Sequence, residues 1–194
     1  MSNWLTSSFD WLPRPWSTRR PPIGPGASMV TDTTETVRRA ARGDAAAFAL
    51  LCHSRAPAVV AYIGAICPDA AERDQLARRV FVRAWRELPS LDKPRRFDLW
   101  LLRLTHTEVG APETRPANGS ARLAPSSYVA SELFTLPSTL RETLSLRYFF
   151  GRAVEEIAPA FDQPVDVVDG WLEAGLQALG SAVAPAAMPA SLAA

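Results

Sequence analysis

The chain has 194 residues, enough for one ordinary domain or two small ones, and its 21 bases and 20 acids leave a net charge of +1. Two cysteines, Cys52 and Cys67, exclude a disulfide framework and a paired-cysteine metal site, and no apolar run approaches the roughly 20 residues of a membrane span. The near-neutral total hides a division. Residues 1–107 hold sixteen bases against ten acids, residues 108–152 hold five against four, and residues 153–194 hold six acids and no base. The front is fit to meet a polyanion, and the back avoids one. Twenty of the 21 bases are arginine, which with the abundant Ala and Pro marks a GC-rich genome more than a chemistry.

Residues 1–28 carry Trp4, Trp11 and Trp16 among prolines without helical period, and read as a disordered extension. Met29 offers a second start of translation. Ser17-Thr18-Arg19-Arg20 runs into Pro21 and Pro22 instead of an apolar stretch, so no export signal is read and a cytoplasmic location is expected. Residues 29–107 form a first, all-helical domain. Gly43-Asp44 breaks one helix and caps the next. Phe48, Leu51, Val59, Tyr62, Ile63 and Ile66 then face a core, with Pro57 bending or splitting the helix. A third helix spans about Ala70 to Leu88 and buries Leu76, Val80, Phe81, Ala84 and Trp85. Pro89 to Arg95 is a loop. A fourth helix starts near Arg96, with Phe97, Trp100, Leu101 and Leu104 on one side.

Residues 108–130 hold Gly110, Pro112, Pro116, Gly119 and Pro125 and read as a flexible linker. Residues 131–180 form a second helical domain with a helix-turn-helix layout. Pro137 suits a first helical turn, Leu140, Leu144, Leu146 and Tyr148 make an apolar face, and Val154, Ile157 and Ala158 belong to a short second helix. Pro159 interrupts that helix, at about 3 kcal/mol in a true interior, so the helix is expected to end early. Asp162-Gln163-Pro164 makes the turn. Val168, Leu172, Leu176 and Leu179 recur on the last helix. Residues 181–194 are an Ala/Pro tail ending in Ser191-Leu192-Ala193-Ala194, similar to bacterial degradation tags. The fold class is all-α, two small helical domains on a linker. No cofactor is expected. His53 and His106 are far apart with no nucleophile or metal pattern around either, so the chain does not read as an enzyme.

Four motifs in order carry a family likeness. They are Gly43-Asp44-Ala45-Ala46-Ala47-Phe48, Val80-Phe81-Val82-Arg83-Ala84-Trp85, Phe97-Asp98-Leu99-Trp100-Leu101, and Leu136-Pro137 through Arg147-Tyr148-Phe149, followed by Glu155-Glu156-Ile157-Ala158 and Pro164. Together they cover most of residues 36–180. The chain resembles the small two-domain sigma factors of bacterial RNA polymerase, the extracytoplasmic-function type. The resemblance implies that the first domain binds core RNA polymerase and captures the melted proximal promoter element, that the second reads the distal element as duplex DNA, and that neither is catalytic. It also implies an anti-sigma factor or a second sigma-like subunit among the partners.

Strand capture needs positive charge along the backbone and flat side chains for bases. Arg83, Arg86, Lys93, Arg95, Arg96, Trp100 and Arg103 supply both and are assigned to DNA; the alternative is a core Trp100 beside a solvated basic face. By resemblance, Glu72, Asp74, Gln75, Arg78 and Arg79 lie where the family meets polymerase. Arg78 and Arg79 stand where Gln and Glu are usual, which weakens docking on a basic partner or matches an altered one.

The last helix departs from the family most. A helix reading duplex DNA relies on Arg and Lys against phosphate. Here Asp166, Asp169 and Glu173 are its charged residues. Each opposes a phosphate roughly 6 Å away by about 0.7 kcal/mol at water's dielectric. Gly170 and Gly175 each cost up to about 1 kcal/mol of helix propensity. Trp171 and Glu173 are read as a protein contact, or Trp171 folds back into a small core. The first function expected is therefore a sigma-like initiation protein. The alternative is a non-initiating regulatory partner that has lost duplex reading.

Overall fold

The structure is a computed structural model that describes residues 33–110 and 128–186; the Trp-bearing extension, the middle of the expected linker and the end of the tail lie outside the described residues. Every element among the described residues is helical. Helix α1 (Thr33–Ala41) ends where Gly43, at φ 92°, reverses the chain. Asp44 then accepts the Ala47 backbone N–H at 3.0 Å and caps α2 (Ala45–Ile66). Its carboxylate also takes Arg39 of α1 at 2.6 Å, tying the two helices at the turn.

Helix α2 buries Phe48, Leu51, Ala56, Val59, Tyr62 and Ile63 in the core of the first unit, while Leu50, His53 and Pro57 face solvent. It runs unbroken through Pro57, where the sequence suggests a bend or split. Pro57 is exposed, so the lost backbone bond falls on the solvent side. Continuity makes α2 long and apolar enough to cross a bilayer by length and composition, unlike the expectation of no such run. Its apolar side chains are instead shared with the helices around it.

Asp69 caps α3 (Ala70–Glu87) by accepting the Glu72 N–H at 2.7 Å. Leu76, Ala77, Val80, Phe81 and Ala84 face inward, and Trp85 lies 4.9 Å from the Phe48 ring. Two 3₁₀ turns, Leu88–Ser90 and Pro94–Arg96, lead into α4 (Phe97–Gly110). The second unit comprises α5 (Tyr128–Thr135), α6 (Ser138–Tyr148), α7 (Val154–Phe161) and α8 (Val165–Ala186). Pro137 stands just before α6 and not in its first turn. Gly151, at φ 64°, turns the chain toward α7.

Helix α7 does not end at Pro159. It reaches Phe161, and Glu156 folds back onto the Ala153 N–H at 2.9 Å to hold its start. Pro159 is the sixth residue of α7 and forgoes one backbone bond, but it lies on the exposed side, between the buried Ala158 and Ala160 that hold the helix in place. The two units are not separate lobes. Leu146, Ile157, Ala158, Ala160 and Val168 belong to the same buried cluster as Leu76, Val80, Leu101 and Leu102. Tyr62 of α2 stands edge-on to Phe134 at 5.6 Å and Phe149 at 5.5 Å, so aromatic packing crosses the boundary.

Candidate nucleic-acid interface

The second 3₁₀ turn, Pro94–Arg96, places three cations on one rim of the molecule, and all three converge on a single carboxylate of the second unit. Lys93 Nζ lies 2.7 Å from Asp162 Oδ2, Arg95 Nη2 lies 2.5 Å from Oδ1, and Arg96 also pairs with Oδ2. Asp162 ends α7 in the left-handed conformation, φ 55° and ψ 41°, which Asp tolerates better than most residues. That backbone projects its carboxyl away from α7 toward the loop. The Lys93 ammonium first, with Arg95 and Arg96, lowers the Asp162 carboxyl to about 2. The carboxylate is therefore ionised at neutral pH.

Farther along α4, Arg103 donates two hydrogen bonds of 2.8 Å to the Glu142 carboxylate of α6. Arg83 is held by Glu87 at 2.6 Å and Glu108 at 2.7 Å. Arg86 is exposed and has no partner among the described residues. Trp100 is half-buried, its ring 5.9 Å from that of the buried Phe97. The structure thus gathers Lys93, Arg95, Arg96, Trp100 and Arg103 along the loop and α4, and leaves Arg83 and Arg86 on α3. Sequence reading missed the acids that meet these bases. The opposite charges of the two halves were the available signal, but they name no pair.

The residues assigned to polymerase share the outer side of α3, opposite its buried stripe. Gln75, Arg78 and Arg79 are exposed, while Glu72 and Asp74 are half-buried. Glu72 is partly engaged, accepting from the Cys67 thiol at 3.4 Å. Burial, followed by that carboxylate, pushes the Cys67 thiol up to about 11, and burial pushes Cys52 up to about 12, so both thiols stay protonated.

On α8, Val168 and Leu172 are buried, and Asp166, Asp169 and Glu173 are exposed. Trp171 is half-buried and stands edge-on to Phe161 at 5.5 Å. Gly170 faces open space, whereas Gly175 lies against Leu144 of α6.

Residues 51–109 match the sigma-70 region 2 family, which spans most of α2, α3, both 3₁₀ turns and α4. The RNA polymerase sigma-H factor of Pseudomonas aeruginosa is 25% identical over 180 residues, covering 78% of this chain and 93% of the relative. CnrH, solved in complex with the cytosolic domain of CnrY, has a similar fold at TM-score 0.54 and 25% identity, covering 80% of this chain and 99% of CnrH. The family is one of non-enzymatic transcription factors. With region 2 matched over residues 51–109, and two likenesses at 25% identity that each cover more than three quarters of the chain, the chain is similar to the sigma factors of the extracytoplasmic-function type.

Proposed function

We propose that the chain is a cytoplasmic transcription initiation factor that docks on core RNA polymerase through the outer side of α3 and holds the melted proximal promoter strand along the loop and α4. The first helical unit, within residues 29–107, carries both tasks, and the unit within 131–180 adds a protein-binding surface. The protein catalyses nothing itself; the polymerase does the chemistry. The observation that carries this reading is the cationic rim of Lys93, Arg95, Arg96 and Arg103 beside Trp100, within the matched region 2. A cationic rim follows a phosphate backbone, and an aromatic ring beside it receives a base. An anti-sigma protein or second sigma-like subunit is the expected regulator, in line with the CnrY domain bound to CnrH.

The exposed acids Asp166, Asp169 and Glu173 on α8 favour a second reading of the back half, in which it has given up duplex DNA for protein contact through Glu173 and the rim of Trp171. Taken alone, that would make the chain a sigma-like regulatory partner. The test is to combine the full chain with purified core polymerase and fragmented genomic DNA, then map transcript starts. Co-elution with polymerase and starts sharing an upstream motif support initiation. Co-elution without specific transcripts supports the regulatory reading. Failure to co-elute overturns both.

A further inference from the structure

Three like charges do not gather without an anion. Lys93, Arg95 and Arg96 lie within four residues of one another, and each reaches the same carboxylate group. Their mutual repulsion is relieved only while that position is filled. An open groove lined by Thr34, Arg38, Asp92, Lys93, Pro94 and Arg95 runs beside the loop and offers a path for a chain of anions. The occupant is supplied from 66 to 69 residues away in sequence, on the turn of the helix-turn-helix. It is held there by a left-handed backbone at Asp162 and by the Gln163 N–H donating to Ala158 O at 3.0 Å. A carboxylate presents two oxygens and one charge, as a backbone phosphate does.

We propose that Lys93, Arg95 and Arg96 form one phosphate-binding site on the strand-capturing loop, and that Asp162 occupies it until a DNA phosphate displaces the carboxylate. The site rests on the reading of the loop as a nucleic-acid surface; the occupancy by Asp162 goes beyond it. The second unit thereby restrains the first. DNA binding and release of the Asp162 turn are coupled, and coupling of this kind is reciprocal. The contact also lowers the salt sensitivity of strand binding, because cations already neutralised by Asp162 release fewer counterions when phosphate arrives.

The test measures binding of a fluorescein-labelled single-stranded 12-mer to the full chain by anisotropy over a salt series. Four proteins are compared with wild type: Asp162→Asn, Asp162→Gly, Asp166→Asn, and the triple variant Lys93→Ala/Arg95→Ala/Arg96→Ala. Asn and Gly both accept the left-handed backbone, so the turn is kept while the charge is removed. Asp166→Asn makes the same charge change on an exposed acid that has no contact with the loop. The expected result is about tenfold tighter binding by both Asp162 variants, within the usual range of coupling between sites. Their log–log salt slope should also be steeper by about 0.7, the increment for one phosphate contact on a single strand. Asp166→Asn should match wild type. Equal tightening by Asp166→Asn would make the effect one of bulk charge and overturn the proposal. Wild-type affinity in both Asp162 variants, with weakened binding by the triple variant, would overturn the occupancy and leave the loop as a DNA surface. Unchanged binding by the triple variant would overturn the loop assignment and the proposal with it.

Discussion

His106 shows how a single side chain acquires a role from its surroundings. Its Nδ1 lies 3.0 Å from the Tyr62 hydroxyl, and its ring stacks on Phe134 at 6.0 Å. Burial first, and then the Arg141 charge, pull its pKa below the ordinary value, with Glu142 opposing. An unfolded histidine titrates near about 6.5. Between that pH and the lower folded value, the unfolded chain binds a proton that the folded chain refuses. Stability is therefore full above about pH 6.5 and falls as pH drops toward the folded pKa. Replacing His106 with Gln should flatten this part of the profile, as read from urea midpoints at several pH values between about 5 and 8. An unchanged acid slope in His106→Gln would show that the ring is not its source.

At the scale of the element, α8 separates two glycines that look alike in the sequence. Helix propensity alone charges both about 1 kcal/mol against alanine. A Cβ on Gly170 would meet nothing within 4 Å, so Gly170→Ala should stabilise the protein by about 0.5–1 kcal/mol. A Cβ on Gly175 would stand 2.8 Å from Leu144 Cδ1 and 3.1 Å from its Cγ. Leu144 is itself buried and has little room to yield. Overpacking of this kind costs about 1–3 kcal/mol, which exceeds the propensity gain, so Gly175→Ala should destabilise by about 1 kcal/mol. Urea unfolding of the two variants checks the opposite signs. Equal stabilisation by both would mean that α6 and α8 pack more loosely than the geometry requires.

Across the whole molecule, the two helical units are joined by charge as well as by a common core. Asp98 at the start of α4 accepts from Arg55 Nε of α2 at 2.6 Å, and its other oxygen lies 2.7 Å from Arg152 Nε, which leads into α7. The Arg152 pairing is close but poorly aligned for a hydrogen bond, so charge holds it more than direction. The three side chains are only 12–19% exposed. Asp98→Ala would leave the nearly buried Arg55 without its acid, while Arg152 keeps Glu156 at 2.9 Å, and should cost about 3 kcal/mol. Because the core is continuous, wild type should unfold in one transition, with tryptophan fluorescence and far-ultraviolet circular dichroism coinciding. A separate early transition of the second unit would contradict that shared core.

Much of this was legible along the chain, because caps and helical periods act over a few residues. Asp44 before an apolar run, the stripe of Leu76, Val80, Phe81 and Ala84, and the ordered motifs that resemble sigma factors needed no knowledge of the fold. The all-helical class and the cationic character of residues 93–103 were set by the same local signals. Two local signals misled. Pro57 read as a bend or a split and Pro159 as an early end, yet both helices continue, since each proline is exposed and the surrounding contacts outweigh one lost backbone bond. The tertiary structure alone decided that Asp162, 69 residues from Lys93, fills the cationic loop, and that Gly175 is a packing necessity while Gly170 is not. Composition can state that a positive half and a negative half attract one another; only the closing of a common core determines which carboxylate arrives between which arginines.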